Sequence, residues 1–319
     1  MLQIRKILLV ADPAMRRTPA FERAAALARR SGASLHILIA EYSEPVARIA
    51  RIDPAAMEQA REGLLRARRA WLADEAAALR GQGLTVTADA VWAHPAWEAV
   101  VQHAVELSPD LVVKDVCHEP LYRRLLYTPA DRQLLRLCPV PLLLVNSVAH
   151  AAPRRVIAAI DPLRGSDGEQ GMSRRIVDAA LALSTQCDAD LHLAHAFDGL
   201  GSAATATPTG MQVLPSEVYE ILRKSHEDAF RALADAYGVP EAKRHFLDGP
   251  PAQAIADFAS ETGTDLVVIG SSRRGGMDRF IMGDTAEALA DRVSSSVLVI
   301  RPEGFAREIA ARLEEIQSR

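Results

Sequence analysis

A short apolar run, Leu266–Ile269, leads directly into Gly270-Ser271-Ser272-Arg273-Arg274-Gly275-Gly276, and Gly283-Asp284-Thr285 then opens a helix-like segment. Glycines let the backbone turn its amides towards one point, and a helix N-terminus adds partial positive charge there. Strand, glycine-rich loop and helix start, in that order, suit the phosphates of a nucleotide. Gly270 and Gly283 serve equally as sites of close ligand approach or as simple turn residues. Asp284 has Glu287 three residues on. The pair makes a capping-box-like start worth about 1 kcal/mol, a role that competes with ligand contact.

Other reactive side chains group less well. Cys117-His118 has no second pair at ligand spacing, so no metal site is assigned. His94, His103, His192, His195 and His245 are scattered, and each reads as a satisfied interior or surface histidine. No serine, histidine and acid can be grouped from chain order, so no catalytic residue is assigned. Arg66-Ala67-Arg68-Arg69 and Arg123-Arg124 read as solvated faces. Trp71, Trp92 and Trp97 all fall in the first half, where they either fill a core or line a cleft for an apolar ligand. Asp12 precedes a proline and reads as a turn residue.

The elements that must position these groups alternate between strand and helix. In the first half, strands are expected at Ile7–Ala11, Ser34–Ala40, Thr85–Val91, Leu111–Val116 and Pro141–Val145. Helices are expected at Pro19–Arg30, Met57–Leu79, Ala96–Leu107 and Pro129–Leu137. The second half repeats the order, with strands at Arg155–Ile160, Asp190–Ala196, Lys243–Leu247, Leu266–Ile269 and Ser296–Arg301. Its helices are expected at Ser173–Gln186, Ser216–Tyr237, Pro251–Glu261 and Thr285–Val293. Such alternation predicts an α/β fold with a parallel, doubly wound sheet, whose ligands sit beyond the carboxyl ends of the strands. Gly199–Gly210, rich in small residues, is expected to be a flexible loop.

The two halves are copies. Val10-Ala11-Asp12-Pro13 returns as Ala159-Ile160-Asp161-Pro162, and Asp110-Leu111-Val112-Val113 as Asp265-Leu266-Val267-Val268, an offset of about 155 residues. The chain of 319 residues thus divides into domains at 1–147 and 154–303, with a tail helix at 304–319. At 49% apolar residues each half can build its own core. A net charge of -4 gives no electrostatic footprint for nucleic acid, and the N-terminal apolar run is too short for a membrane span. Three cysteines without a CxxC pair read as reduced thiols of a cytoplasmic protein.

In these motifs the sequence resembles the universal stress protein family, along about its whole length. The phosphate pattern of the family's ATP-binding members is Gly, two residues, Gly, nine residues, Gly, then Ser or Thr. Gly270 and Gly283 fit it, Arg273 stands in place of the second glycine, and Asp284 takes the Ser/Thr place. Asp161 matches the aspartate that faces the adenine, and Asp248-Gly249-Pro250-Pro251-Ala252 is similar to the family's Gly-x-Pro helix entry. Tyr127-Thr128-Pro129, Arg136-Leu137-Cys138-Pro139 and Gly283-Asp284-Thr285-Ala286-Glu287 resemble the tandem E-type branch.

The resemblance implies two tandem five-stranded parallel sheets of the adenine nucleotide alpha hydrolase-like type. It implies packing about a pseudo-twofold axis through the last strand of each half, with a homodimer as a further option. It implies a stress-survival module without enzymatic activity. Any ATP would sit in the second half only, at Asp161, Gly270, Arg273, Gly275, Gly283, Asp284 and Thr285. An Asp284 carboxylate near phosphate is costly, since unit charges about 4 Å apart repel by about 1 kcal/mol in water and about 4 at an effective dielectric of 20. In the first half Asp115 stands where Gly270 does and Thr128 where Gly283 does, so no nucleotide is expected there. The alternatives are a binder of an apolar or lipid-like ligand and a weak nucleotide hydrolase.

Overall fold

In a computed structural model of the chain, residues 3–116, 129–146, 150–163, 170–199, 204–207, 210–213, 215–271 and 284–317 are described. They form two compact units, Gln3–Ala152 together with Glu303–Arg319, and Pro153–Pro302.

In the first unit the strands are β1 (Lys6–Val10), β2 (Ser34–Glu41), β3 (Val86–Trp92), β4 (Leu111–Asp115) and β5 (Leu142–Val145). They pair in parallel in the order β5-β4-β1-β2-β3. From β1 the chain moves outward to β2 and β3, then returns to β4 on the other side of β1. The strand order therefore reverses between the carboxyl ends of β1 and β4. Near-continuous apolar runs such as Ile7-Leu8-Leu9 and Leu111-Val112-Val113 are 0% exposed, as strands covered on both faces require.

The helices are α1 (Pro19–Ser31), α2 (Glu44–Ile49), α3 (Pro54–Arg80), α4 (Ala96–Leu107) and α5 (Pro129–Leu137). The periodic pattern of α3 suggests a start near Met57, but the Asp53 carboxylate accepts from the amides of Ala55 and Ala56 with Pro54 behind it, so the helix begins at Pro54. The short helix α2 carries no such periodic signal. The closing helix of the chain also belongs to this unit and packs against α4, burying Phe305 and Ile309 one turn apart.

The second unit repeats the plan with β6 (Arg155–Ala159), β7 (Asp190–Phe197), β10 (Arg244–Asp248), β11 (Leu266–Gly270) and β12 (Ser296–Ile300), in the parallel order β12-β11-β6-β7-β10. Its helices are α6 (Gln170–Cys187), α7 (Ser216–Ala236), α8 (Pro251–Glu261) and α9 (Asp284–Ala290); the closing helix is α10 (Phe305–Gln317). The segment expected to be a flexible loop instead contains an antiparallel ribbon, β8 (Ala204–Thr207) paired with β9 (Gly210–Val213). Alternating threonines in Ala-Thr-Ala-Thr carry the β-propensity that the small-residue composition masked.

The repeated Asp-Leu-Val-Val motif has one structural job in both halves. The Asp110 carboxylate accepts from the amides of Arg5 and Lys6, at 2.8 and 2.9 Å. The Asp265 carboxylate accepts from Arg154 and Arg155, at 2.8 and 3.0 Å. Each aspartate thus ties the start of one central strand to the start of its neighbour.

Candidate functional site

The reversal point of the first unit opens into a cavity of about 590 Å³ at the carboxyl ends of β1, β4 and β5. Trp97 and Val100 of α4 and Leu134 of α5 supply apolar wall, and Asp12, Arg16 and Asp115 supply charge. Local hydrogen bonds fix most of these groups. Asp12 accepts from the Ala14 amide at 2.9 Å and from Arg16 Nε at 2.7 Å, so the turn reading of this residue agrees with its geometry. Lys114 donates to Asp131 Oδ1 at 2.7 Å, and Asp131 is fully buried at the start of α5.

Asp115 has the most telling surroundings. Its Oδ1 accepts from the Ala20 amide in the first turn of α1 at 2.9 Å, and the Thr18 side chain stands beside the same carboxyl group. Burial raises its pKa, against the pull of the Thr18 hydroxyl, the Ala20 amide and the Lys114 charge. The residue that replaces the loop glycine therefore puts a carboxyl group of the protein itself at a helix N-terminus. That group occupies favourable donors and repels an incoming phosphate.

In the second unit the carboxyl ends of β6 and β11 are neighbours, with Val268 opposite Ala158. This brings Asp161, just past β6, and Gly270, at the end of β11, to the same edge. A side chain at Gly270 would stand 2.7 Å from Met172 Cγ and 3.0 Å from Ile176 Cδ1 of α6. The glycine thus has a packing reason, the close approach of a helix to a strand. Gly249 adopts φ 117, a backbone state that needs glycine, just before Pro250 and Pro251 lead into α8. Arg273, Gly275 and Gly283 lie outside the described residues, as do Cys117, His118, Arg123, Arg124, Tyr127 and Thr128. Asp284 and Thr285 are the first residues of α9; their side chains lie outside the description.

Two expectations gain detail here. The histidines scattered along the second half are satisfied by meeting in pairs. His195 Nε2 lies 2.9 Å from His226 Nδ1, and His192 Nδ1 lies 2.9 Å from His245 Nε2. Asp161 joins the first pair, with one ligand atom from each of the three within 4.8 Å of the others. Chain order hides this because the three come from β6, β7 and α7, and only strand adjacency joins them. Burial lowers the pKa of all four histidines. The tryptophans, in turn, divide between the two roles left open for them. Trp71 meets buried Phe21 edge-on at 6.1 Å, whereas Trp97 lines the cavity.

Comparison with known proteins agrees with this duplicated architecture. A model of the universal stress protein family matches residues 3–146 and again 153–301. Universal stress protein E of Escherichia coli K12 is 25% identical over 311 residues, covering 96% of each chain. Its counterpart in Photorhabdus laumondii is 25% identical over 321 residues, covering 98% of this chain and all of the relative. Among solved structures, a functionally unknown protein from Pseudomonas aeruginosa PAO1 superposes with a TM-score of 0.79 at 22% identity, covering 98% of each chain. A universal stress protein from Pseudomonas aeruginosa UCBPP-PA14 gives 0.76 at 24%, with 99% of this chain and 98% of that one covered. With the family match on both halves and the same strand order built twice, the chain belongs to the universal stress protein family as a tandem, E-type member.

Proposed function

We propose that this stress protein acts by binding and not by catalysis, and that its first half takes a small molecule with an apolar body and a polar end. The observation that carries this reading is the first-half cavity. Its size falls within the range of roughly 300–1,000 Å³ typical of ligand pockets, and it lies at the strand-order reversal. Trp97 and Leu134 suit the apolar body, and Arg16 and Asp115 suit the polar end. The buried charge of Asp115 disfavours a nucleotide there. The protein is read as working in the cytoplasm, where buried thiols such as Cys138 and Cys187 stay reduced.

Filling the cavity tests the reading. Native mass spectrometry of the purified protein is expected to show a bound small molecule in the wild type and none in Val100→Trp. Retention of the same ligand by a folded Val100→Trp variant would discard the cavity as the site.

A second reading gives the second half an adenine nucleotide, through Asp161, Gly270, Arg273, Gly275, Gly283, Asp284 and Thr285. The adjacency of the β6 and β11 carboxyl ends favours it. ATP titrated against wild type and Gly283→Trp is expected to bind only the former; equal affinity removes the site.

A further inference from the structure

Asp161, His195 and His226 converge on one point although they come from the end of β6, from β7 and from α7. His195 is 2% exposed, and its Nδ1 lies 2.9 Å from the carbonyl oxygen of Ile160. A carbonyl only accepts, so Nδ1 carries the proton and the neutral ring presents a lone pair at Nε2. In the structure that lone pair faces His226 Nδ1 at 2.9 Å. Beside them the Asp161 Oδ1 is buried, with no hydrogen-bond partner among the described residues. A buried carboxylate oxygen left unpaired is costly, and a neutral imidazole pair sharing one N–H···N hydrogen bond supplies no counter-ion for it. The missing component of such a group is a cation.

We propose that Asp161, His195 and His226 form a site for a divalent transition metal of the zinc type. Two imidazoles and one carboxylate suit zinc and its neighbours, whereas magnesium and calcium take oxygen ligands. The Ile160 carbonyl supplies the outer hydrogen bond that fixes a ligating histidine's tautomer and ring orientation. Phe230 and Phe246 pack around His195, with ring centroids 6.2 and 5.4 Å away, and Phe197 packs on His226 at 5.1 Å. These rings limit water around the site.

Geometry sets one requirement. Two ligands about 2.0–2.1 Å from zinc at a tetrahedral angle stand roughly 3.3 Å apart. The present 2.9 Å contact is that of an N–H···N hydrogen bond. Metal entry therefore needs His226 to move its Nδ1 outward by a few tenths of an ångström and shift its proton to Nε2. His226 is half-buried on a helix face and has the freedom to do so, while His195 is the fixed ligand. Three protein ligands leave a fourth position open for water or a small ligand.

The inference shares Asp161 with the nucleotide reading, and a test on His226, which that reading does not use, keeps the two distinguishable. Metal-free full-length protein is titrated with Co²⁺ and Zn²⁺, with chelator competition for affinity. The expected result is one equivalent of Co²⁺ with the intense visible spectrum of low coordination, displaced by Zn²⁺. His226→Phe, which keeps an aromatic ring against Phe197, is expected to lower the affinity by more than about 100-fold, beyond the loss typical of an outer-shell partner. His192→Gln, in the other histidine pair, is expected to bind as the wild type does. Zinc should raise the melting temperature of the wild type and leave that of His226→Phe unchanged. A six-coordinate aqua-like Co²⁺ spectrum in the wild type, or equal zinc affinity in a folded His226→Phe protein, would overturn the site. ATP binding, if present, should survive His226→Phe, which separates loss of metal from loss of nucleotide.

Discussion

Asp115 and Gly270 occupy one place in two copies of a fold and do opposite things there. Asp115 lends its carboxyl group to the first turn of α1, and burial raises its pKa. A raised carboxyl pKa in the folded state means that ionisation at neutral pH costs stability, and that this cost fades as the pH falls through the folded value. Asp115→Asn keeps an oxygen for the Ala20 amide and removes the charge. It should therefore melt higher than the wild type at neutral pH, with the gap closing in acid; thermal melts across a pH series would show this. Gly270, in contrast, leaves room for Met172 and Ile176. Gly270→Val should lower stability by about 1–3 kcal/mol through overpacking, measured by urea unfolding. An unchanged unfolding midpoint would mean that α6 yields at no cost and that the glycine is kept for another reason.

At the scale of elements, the duplicated Asp-Leu-Val-Val motif serves the sheet. Asp110 and Asp265 each accept two backbone amides at the start of a neighbouring strand. Bonds to a charged acceptor contribute about 1.5–3 kcal/mol each when buried and less at a partly exposed edge. Asp110→Ala and Asp265→Ala should each cost about 1–3 kcal/mol in chemical denaturation, and by similar amounts. Loss from only one of the two variants would show that the copies have diverged in this role. The ribbon of β8 and β9 has no counterpart in the other copy's described residues. It marks where the two units elaborate one plan differently.

Across the whole molecule, buried titratable groups are unevenly shared. Burial lowers the pKa of His192, His195, His226 and His245 in the unit Pro153–Pro302, and of His36 in the other. A lowered histidine pKa means that the unfolded chain takes up protons first. Stability is then lost as the pH falls through the ordinary imidazole value of about 6.5 towards the folded one. Asp115 acts in the reverse direction within the first unit. Hydrogen exchange read by mass spectrometry, corrected for intrinsic rates, should therefore show protection falling faster in the second unit between about pH 7.5 and pH 5.5. Equal losses in both units would mean that the histidine pairs are not neutral in the folded state.

The order of residues alone determined the duplication, the alternation of strands and helices, the parallel sheets and the family. These depend on local runs: Ile7-Leu8-Leu9 reads as a strand covered on both faces, whereas the start of α3 at Pro54 came only from the structure. It also pointed to the first half as lacking a phosphate loop, because Asp115 is visible in Gly270's place. Only the tertiary structure decided that Asp115 bonds to α1, that Trp97 lines a cavity while Trp71 faces Phe21, and that Asp161 meets His195 and His226. The reason is physical. Propensity and periodicity act over neighbouring residues, whereas a site forms where strand order brings distant chain ends to one edge. Along the chain Asp161 stands 34 residues before His195 and His195 stands 31 before His226, and nothing in that spacing announces the few ångströms that separate their ligand atoms in space.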